Sequence, residues 1–292
     1  MYISRYFKDQ GLYGQKPIKV VIASIGFCFA LLWLGFPLSA LASGLNTGQI
    51  ARPVVAIVID DIGDNLENGE RAILLPYALT YSFLPHTQYS LALARLAEKK
   101  RKEIMLHLPM EPMGDEAMGP GGLQLEMERE VFVRTLHDDM QSLPHFVGIN
   151  NHMGSRLTRF SVPMRWLMEE LSRVEDVYFV DSFTTTDSVA YETAREYSIP
   201  TLTRDVFLDH NRNFSDMPMQ FARLLAIARK HGTALAIAHP HNDTLEFLDR
   251  MLAELPHQGF QLVPVSQLIE FRKRRNTTWR ASLSLLPKDL KN

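Results

Sequence analysis

From Pro53 onward, short apolar runs rich in Val and Ile alternate with longer segments in which apolar residues recur every three or four positions. Short continuous apolar runs are the pattern of buried strands, and the three-to-four spacing is that of helices with one buried face. The pattern predicts strands at Val54–Ile59, Thr80–Leu84, Glu103–Leu108, Phe146–Ile149, Val177–Val180, Pro200–Thr203, Ala234–Ala238 and Gln261–Val263. Helices are predicted near 66–75, 88–100, 126–141, 163–173, 187–197, 216–230, 243–254 and 266–273. Strict strand and helix alternation marks βα units around a parallel sheet. With seven or eight such units and no linker among them, the expected fold class is α/β, a single distorted (β/α) barrel of seven or eight units spanning 53–273, with an open doubly wound sheet as the alternative.

Two connections interrupt the rhythm. Residues 109–124 contain Pro109, Pro112, Gly114, Gly119, Pro120, Gly121 and Gly122, which exclude regular structure directly after a strand, where barrel enzymes place substrate contacts. The second, roughly 204–215, carries Asp205, Asp209 and His210. The tail 274–292 shows no pattern, and the basic cluster Arg272 to Arg275 reads as a solvated helix end in preference to a binding site.

Residues 1–42 differ in composition. Arg5, Lys8, Lys16 and Lys19 precede an uncharged stretch from Val20 that ends in Ala40-Leu41-Ala42, the layout of an export signal. Its apolar run approaches the length of a membrane span, so residues 20–42 act either as a cleaved leader or as an N-terminal membrane anchor. Both place the body in the periplasm or cell envelope, joined through a linker at 43–52. Of 292 residues, 46% are hydrophobic and 22% charged, enough to bury a full core. Net charge is −2 overall; setting aside the four Lys/Arg and one Asp of the leader leaves 27 cations against 32 anions in the body, a net −5, which argues against nucleic acid as a partner. Cys28 lies in the leader, so the body has no thiol and must bind any metal through His, Asp or Glu.

The candidate chemistry is positional. Strands run directly into Asp60-Asp61, His107, Asn150-Asn151-His152, Asp181 and His239-Pro240-His241. In a β/α barrel all of these reach one rim, where loops converge on a shared pocket. A lone Asp after a strand commonly caps a helix, and Asp60, Asp61 or Asp181 could each do so. Helix capping does not account for adjacent carboxylates on one strand together with histidines on three others. Asp and His without Cys suit a divalent metal, most simply zinc, which in catalytic sites takes three protein ligands and keeps a position open. Asp61, His107 and His152 can supply three. Asp60, expected to point away from its neighbour, could take a proton from water, and His239 could protonate a leaving group. His241, beyond a proline, is the weaker candidate, a residue near substrate or one that only shapes the turn.

These segments also resemble a known family. Ile59-Asp60-Asp61-Ile62-Gly63, His107-Leu108-Pro109-Met110-Glu111-Pro112, Gly148-Ile149-Asn150-Asn151-His152-Met153-Gly154-Ser155, Phe179-Val180-Asp181-Ser182 and Ala238-His239-Pro240-His241 are similar to motifs of the divergent polysaccharide deacetylases, and the similarity runs from about Val54 to Leu268. The resemblance implies a barrel of the glycoside hydrolase and deacetylase type, exported and removing acetyl groups from an acetylated polysaccharide or oligosaccharide of the envelope. It implies Asp60 as base, Asp61 as metal ligand and His239 as acid. The wider family takes both metal imidazoles from a His-x-x-x-His motif, whereas this chain reads His107-Leu108-Pro109-Met110-Glu111. Either Glu111 or His152 then completes the metal site; His152, beside a tight Met-Gly-Ser turn, is preferred, which leaves Glu111, Asn151, Asp181 and His241 as substrate contacts. The Arg-x-Pro-Tyr motif that orients the base in ordinary deacetylases has no clear copy. Phe207-Leu208-Asp209 also looks like a family motif without an assignable role. Two competing readings are a glycoside hydrolase using two of Asp60, Glu111 and Asp181, and a barrel that binds glycan without turnover.

Overall fold

The computed structural model describes residues 52–210 and 214–284. The leader, all but the last residue of the linker and the end of the tail lie outside the described residues. Among the described residues no helix is long and apolar enough to cross a membrane.

In chain order the elements are β1 (Val54–Ile62), α1 (Leu66–Leu74), β2 (Thr80–Phe83), α2 (Ser90–Lys99), β3 (Glu103–Met110), α3 (Arg129–Gln141), β4 (Gly148–Met153), α4 (Ser161–Leu171), β5 (Tyr178–Asp181), α5 (Ala190–Glu196), β6 (Thr201–Thr203), β7 (Val206–Phe207), α6 (Met217–His231), β8 (Thr233–Ala238), α7 (Asn242–Glu254), β9 (Gln261–Leu262) and α8 (Val265–Ser284). The sheet order is β6-β5-β4-β3-β2-β1-β8-β7, with every ladder parallel and β9 paired to the lower end of β1. The two edge strands are consecutive in sequence, separated only by Arg204 and Asp205. Arg204 N–H donates to Asp181 O at 3.1 Å and Asp205 N–H to Leu235 O at 2.9 Å, so β6 and β7 together form one split strand between β5 and β8 of the curled sheet.

Strand parity sorts the residues into two cores. Odd-numbered Val55, Ile57 and Ile59 of β1 pack outward in one cluster with Leu93, Leu224 and Leu248 of the helices. Even-numbered Val54, Ala56 and Val58 join Met105, Val180, Leu235 and Ile237 in a second cluster inside the barrel, plugged by Val265, Leu268 and Ile269 of α8. Burial on both faces is why β1 reads as a continuous apolar run. Below this interior, Glu103 accepts hydrogen bonds from Thr80 Oγ1 at 2.8 Å and Tyr178 Oη at 2.9 Å, and from the Ser266 backbone N–H at 3.2 Å. Gly148 leaves room for the Tyr178 ring, which a Cβ there would meet at 2.2 Å. Above the same interior, parity continues into Asp60, His107, Asn150 and His239.

Two expectations are corrected. The terminal helix, predicted near 266–273, continues to Ser284 into the supposed tail, so Arg272 to Arg275 lie within the helix and not at its end, with Arg272 paired to Asp205. Apolar periodicity detects only helical turns that pack, whereas the backbone stays helical until something such as a proline stops it. The split strand adds β7, two residues long and too short to register as a pattern.

Candidate metal centre

Asp60 and Asp61 precede Ile62, the last residue of β1. On a regular strand they would face opposite sides, and Asp60 was expected to point away from Asp61. Instead the β1–β2 register shifts between Ile59 and Ile62, and Asp61 adopts a left-handed φ of +56°. That turn brings both carboxylates to one pocket: His107 Nε2 lies 3.7 Å from Asp60 Oδ2 and 3.1 Å from Asp61 Oδ1. Asp is among the few side chains that tolerate this conformation, at a cost of about 1–2 kcal/mol. Neither carboxylate caps the next helix; Asn65 does, accepting from Asn68 N–H at 2.9 Å.

β3 and β4 pair with Asn150 beside His107 and His152 beside Pro109, so His152 sits one step further along the adjacent strand and turns to the same pocket. Asp61 Oδ1 is 3.0 Å from His152 Nδ1, and His152 Nδ1 is 3.1 Å from His107 Nε2. Three ligand atoms thus form a nearly equilateral triangle. An ion bound at the usual ~2.0–2.2 Å of zinc to nitrogen and oxygen can touch all three from one side and keep other positions open. Asp61 Oδ1 is itself buried with no donor aligned on it, despite two imidazole nitrogens within reach. A buried carboxylate oxygen left without a hydrogen bond is costly, and a cation at the apex removes that cost. The donor set fits a divalent metal, zinc included.

Asn150 organises what surrounds the triangle. Its Nδ2 donates to Asp60 Oδ1 and Oδ2 at 2.9 and 3.0 Å, which fixes the amide orientation; its Oδ1 then accepts from His107 Nδ1 at 2.9 Å and Ser82 Oγ at 2.5 Å. With Nδ1–H donating there, Nε2 is the nitrogen that faces the triangle, and it can offer its lone pair to a metal once its proton is displaced; burial would lower the His107 pKa, but Asp60 and Asp61 raise it. Burial pushes the Asp60 carboxyl above its ordinary range, against the opposing pull of His107 and His239. Burial pushes Asp61 the same way, but the imidazoles of His107 and His152 outweigh it and hold that carboxyl well below its range.

Across the pocket, His239 follows β8. Its Nδ1 is 3.0 Å from Asp209 Oδ1 and its Nε2 is 3.7 Å from Asp61 Oδ2. Asp209, fully buried as a side chain, also accepts from His239 N–H at 2.8 Å and Thr244 Oγ1 at 2.9 Å through Oδ2. Burial would lower the His239 pKa; the Asp209 carboxylate overrides it and raises the imidazole to about 9.

The remaining candidate residues sit elsewhere. Glu111 is ion-paired with Arg156 and accepts from Leu125 N–H at 2.6 Å, so it braces the base of the 109–124 loop away from the triangle. Asp181 accepts from Phe183 N–H at 2.8 Å and Ser188 Oγ at 2.7 Å, closing the turn after β5. Asn151 donates to Met153 O at 2.7 Å and accepts from Ser182 N–H at 2.8 Å, tying the ends of β4 and β5 together. His241 is exposed, with its ring centroid 5.9 Å from that of His239. The loop contributes Met118 and Pro120 to a cavity of about 180 Å³ shared with Leu84, Pro109, Asp61 and His152.

Sequence reasoning missed Asn150, choosing Asn151 instead; two-residue parity with His152 was the available signal. Asn150→Ala leaves Asp60 and His107 without their shared partner, and the expected outcome is zinc affinity about 10–100-fold weaker, read by competition with a chromophoric chelator.

Fold and centre together define a parallel β/α barrel with a candidate Asp-His-His metal site at the rim where the strands end. Residues 57–269 match the family described as divergent polysaccharide deacetylase, and the chain belongs to that family. It is 34% identical over 232 residues to the uncharacterised protein YibQ of Escherichia coli K12, a match covering 80% of this chain and 70% of YibQ. An uncharacterised protein of Haemophilus influenzae is 34% identical over 220 residues, covering 75% of this chain and 78% of that one. In three dimensions the barrel is similar to an uncharacterised protein of Agrobacterium tumefaciens C58, at a TM-score of 0.72 and 24% identity, covering 75% of this chain and 90% of the other, which shows the fold.

Proposed function

We propose that this protein is an exported, metal-dependent hydrolase that removes acetyl groups from an envelope polysaccharide or its oligosaccharides. The observation that carries the reading is the triangle of Asp61, His107 and His152, with a buried carboxylate on one side and a carboxylate-backed imidazole on the other. A divalent ion held there supplies Lewis acidity to a carbonyl oxygen and acidifies water. Asp60, its carboxyl raised by burial, takes a proton from the attacking water, with Asn150 holding both carboxylate oxygens in place. His239, protonated at neutral pH, gives a proton to the departing nitrogen or oxygen while Asp209 fixes its ring. The apolar walls at Leu84, Pro109, Met118 and Pro120 suit a methyl group beside the ion. The two-carboxylate glycosidase reading loses ground because Glu111 is committed to Arg156, and both oxygens of Asp181 are committed to the turn.

The test is acetate release from acetylated amino-sugar polymers by the purified full chain. Activity is expected to disappear on exhaustive chelation and to return with about one zinc per chain. Turnover that survives chelation, or a chain that takes up no divalent metal, overturns the proposal.

A further inference from the structure

A second cluster of charge lies along the seam between β6 and β7. There Arg204, Arg223, Arg272, Arg275, His231 and Asp205 line an open cavity of about 640 Å³. The end of α6, the start of β8 and α8 form most of its walls, at the end of the barrel where the strands begin, and Arg204 is the lining residue that reaches toward the rim where β5 ends. Four guanidinium groups face a single carboxylate, on a body whose net charge is negative.

That one carboxylate is already committed. Asp205 Oδ2 binds Arg272 Nη2 at 3.0 Å and accepts from Leu235 N–H at 2.8 Å. The other guanidinium groups have neutral hydrogen-bond partners or none, although Arg204 also lies within the fields of Asp60, Asp181 and Asp205. Arg204 donates to Ser182 O at 2.7 Å and Phe183 O at 3.0 Å and lies 4.8 Å over the Phe207 ring. Arg275 donates to His231 O at 2.5 Å. Arg223 has no hydrogen-bond or ion-pair partner among the described residues. Backbone carbonyls orient a guanidinium without cancelling its charge, and they leave its remaining N–H groups free. The Arg275 contact also depends on Gly232, at φ +80°, where a Cβ would lie 1.3 Å from Arg275 Nη1. Capping of the α6 C-terminus explains Arg275 alone; it does not explain Arg204 or Arg223 converging on the same space.

We infer that this seam is a binding site for a phosphate-bearing ligand, separate from the metal centre. Several pre-oriented guanidinium forks match the oxygens of phosphate groups. The cavity is roomy enough for a diphosphate or a sugar phosphate, presented either as a soluble molecule or as a lipid headgroup.

The probe is pyrophosphate, titrated calorimetrically into the full chain at low ionic strength, beside co-sedimentation with vesicles of phosphatidylglycerol or of phosphatidylcholine. Wild type is expected to bind one pyrophosphate, and Arg223→Ala combined with Arg275→Ala to weaken it at least tenfold. Arg223→Ala alone touches no folding contact and is expected to weaken it severalfold with an unchanged melting temperature. Asp61→Asn is expected to bind as wild type does, which separates this site from phosphate captured at the metal. Vesicle binding that requires phosphatidylglycerol, is displaced by pyrophosphate and is lost in the double variant makes the source a headgroup; pyrophosphate binding without it makes the source soluble. No pyrophosphate binding in wild type, undiminished binding in the double variant, or loss of binding in Asp61→Asn overturns the inference.

Discussion

Asp61→Asn is expected to empty the metal centre and to lower turnover about a thousandfold or more, while the protein stays folded. Asn has the size of Asp and is the other residue that tolerates a left-handed φ, so the turn that follows Asp60 survives the exchange. What disappears is the negative charge at the corner of the triangle, 3.0–3.1 Å from two imidazole nitrogens. A divalent ion then has two neutral ligands and an amide, too little to offset its own dehydration. A thousandfold loss corresponds to about 4 kcal/mol of transition-state stabilisation, within what a metal's charge supplies. Metal per chain by mass spectrometry, acetate release and a urea titration check the three parts separately. A full complement of metal in Asp61→Asn removes Asp61 from the ligand set. His152→Ala is expected to release the metal as well, and Glu111→Gln to keep it, because Glu111 is held by Arg156 and Leu125 N–H. The reverse result would reinstate Glu111 as the ligand.

The strands, and with them the rim, were legible because nearly every strand is buried on both faces and reads as an unbroken apolar run that stops where the polar residue begins. Finer geometry needed information that alternation does not carry. Asp60 and Asp61 come to one side through a register shift and one left-handed residue, neither of which leaves a trace in the pattern of polar and apolar positions. Asn150 and Asn151 look alike in sequence; only their parity relative to Gly148 and His152 assigns one to the barrel interior and the other to a tie between strand ends. Asp181 follows a strand as Asp60 does, yet the turn behind it contains Ser188 and a free N–H at Phe183 that satisfy the carboxylate locally. Asp209 shows the converse. It follows the split strand β7, too short to be seen, and its partner His239 lies 30 residues further along the chain. The role of Asp209 depends on β7 pairing with β8, which only the fold reveals.

That pairing sets up the second large effect. His239→Ala is expected to lower turnover about 100- to 10,000-fold, the range for losing a general acid, with metal content unchanged, since His239 lies outside the triangle. Loss of metal in this variant would make His239 a ligand instead of an acid. Asp209→Asn is the more discriminating exchange. In the wild type the imidazole is held at about 9, because the Asp209 hydrogen bond and charge outweigh burial. Activity that needs protonated His239 is therefore expected to persist through neutrality and fall as pH rises past about 9. Without the Asp209 charge, only Asp61 and Asp60 oppose burial and the falling limb moves to lower pH, so the variant's deficit at pH 8 exceeds its deficit at pH 6. Stability follows the same sign: a histidine raised on folding contributes fully below its ordinary 6.5, and the contribution fades as pH climbs through about 9. Asp209→Asn should flatten that decline in a urea titration series. A purely structural Asp209 would lower stability and activity at every pH alike and leave the alkaline limb where it was.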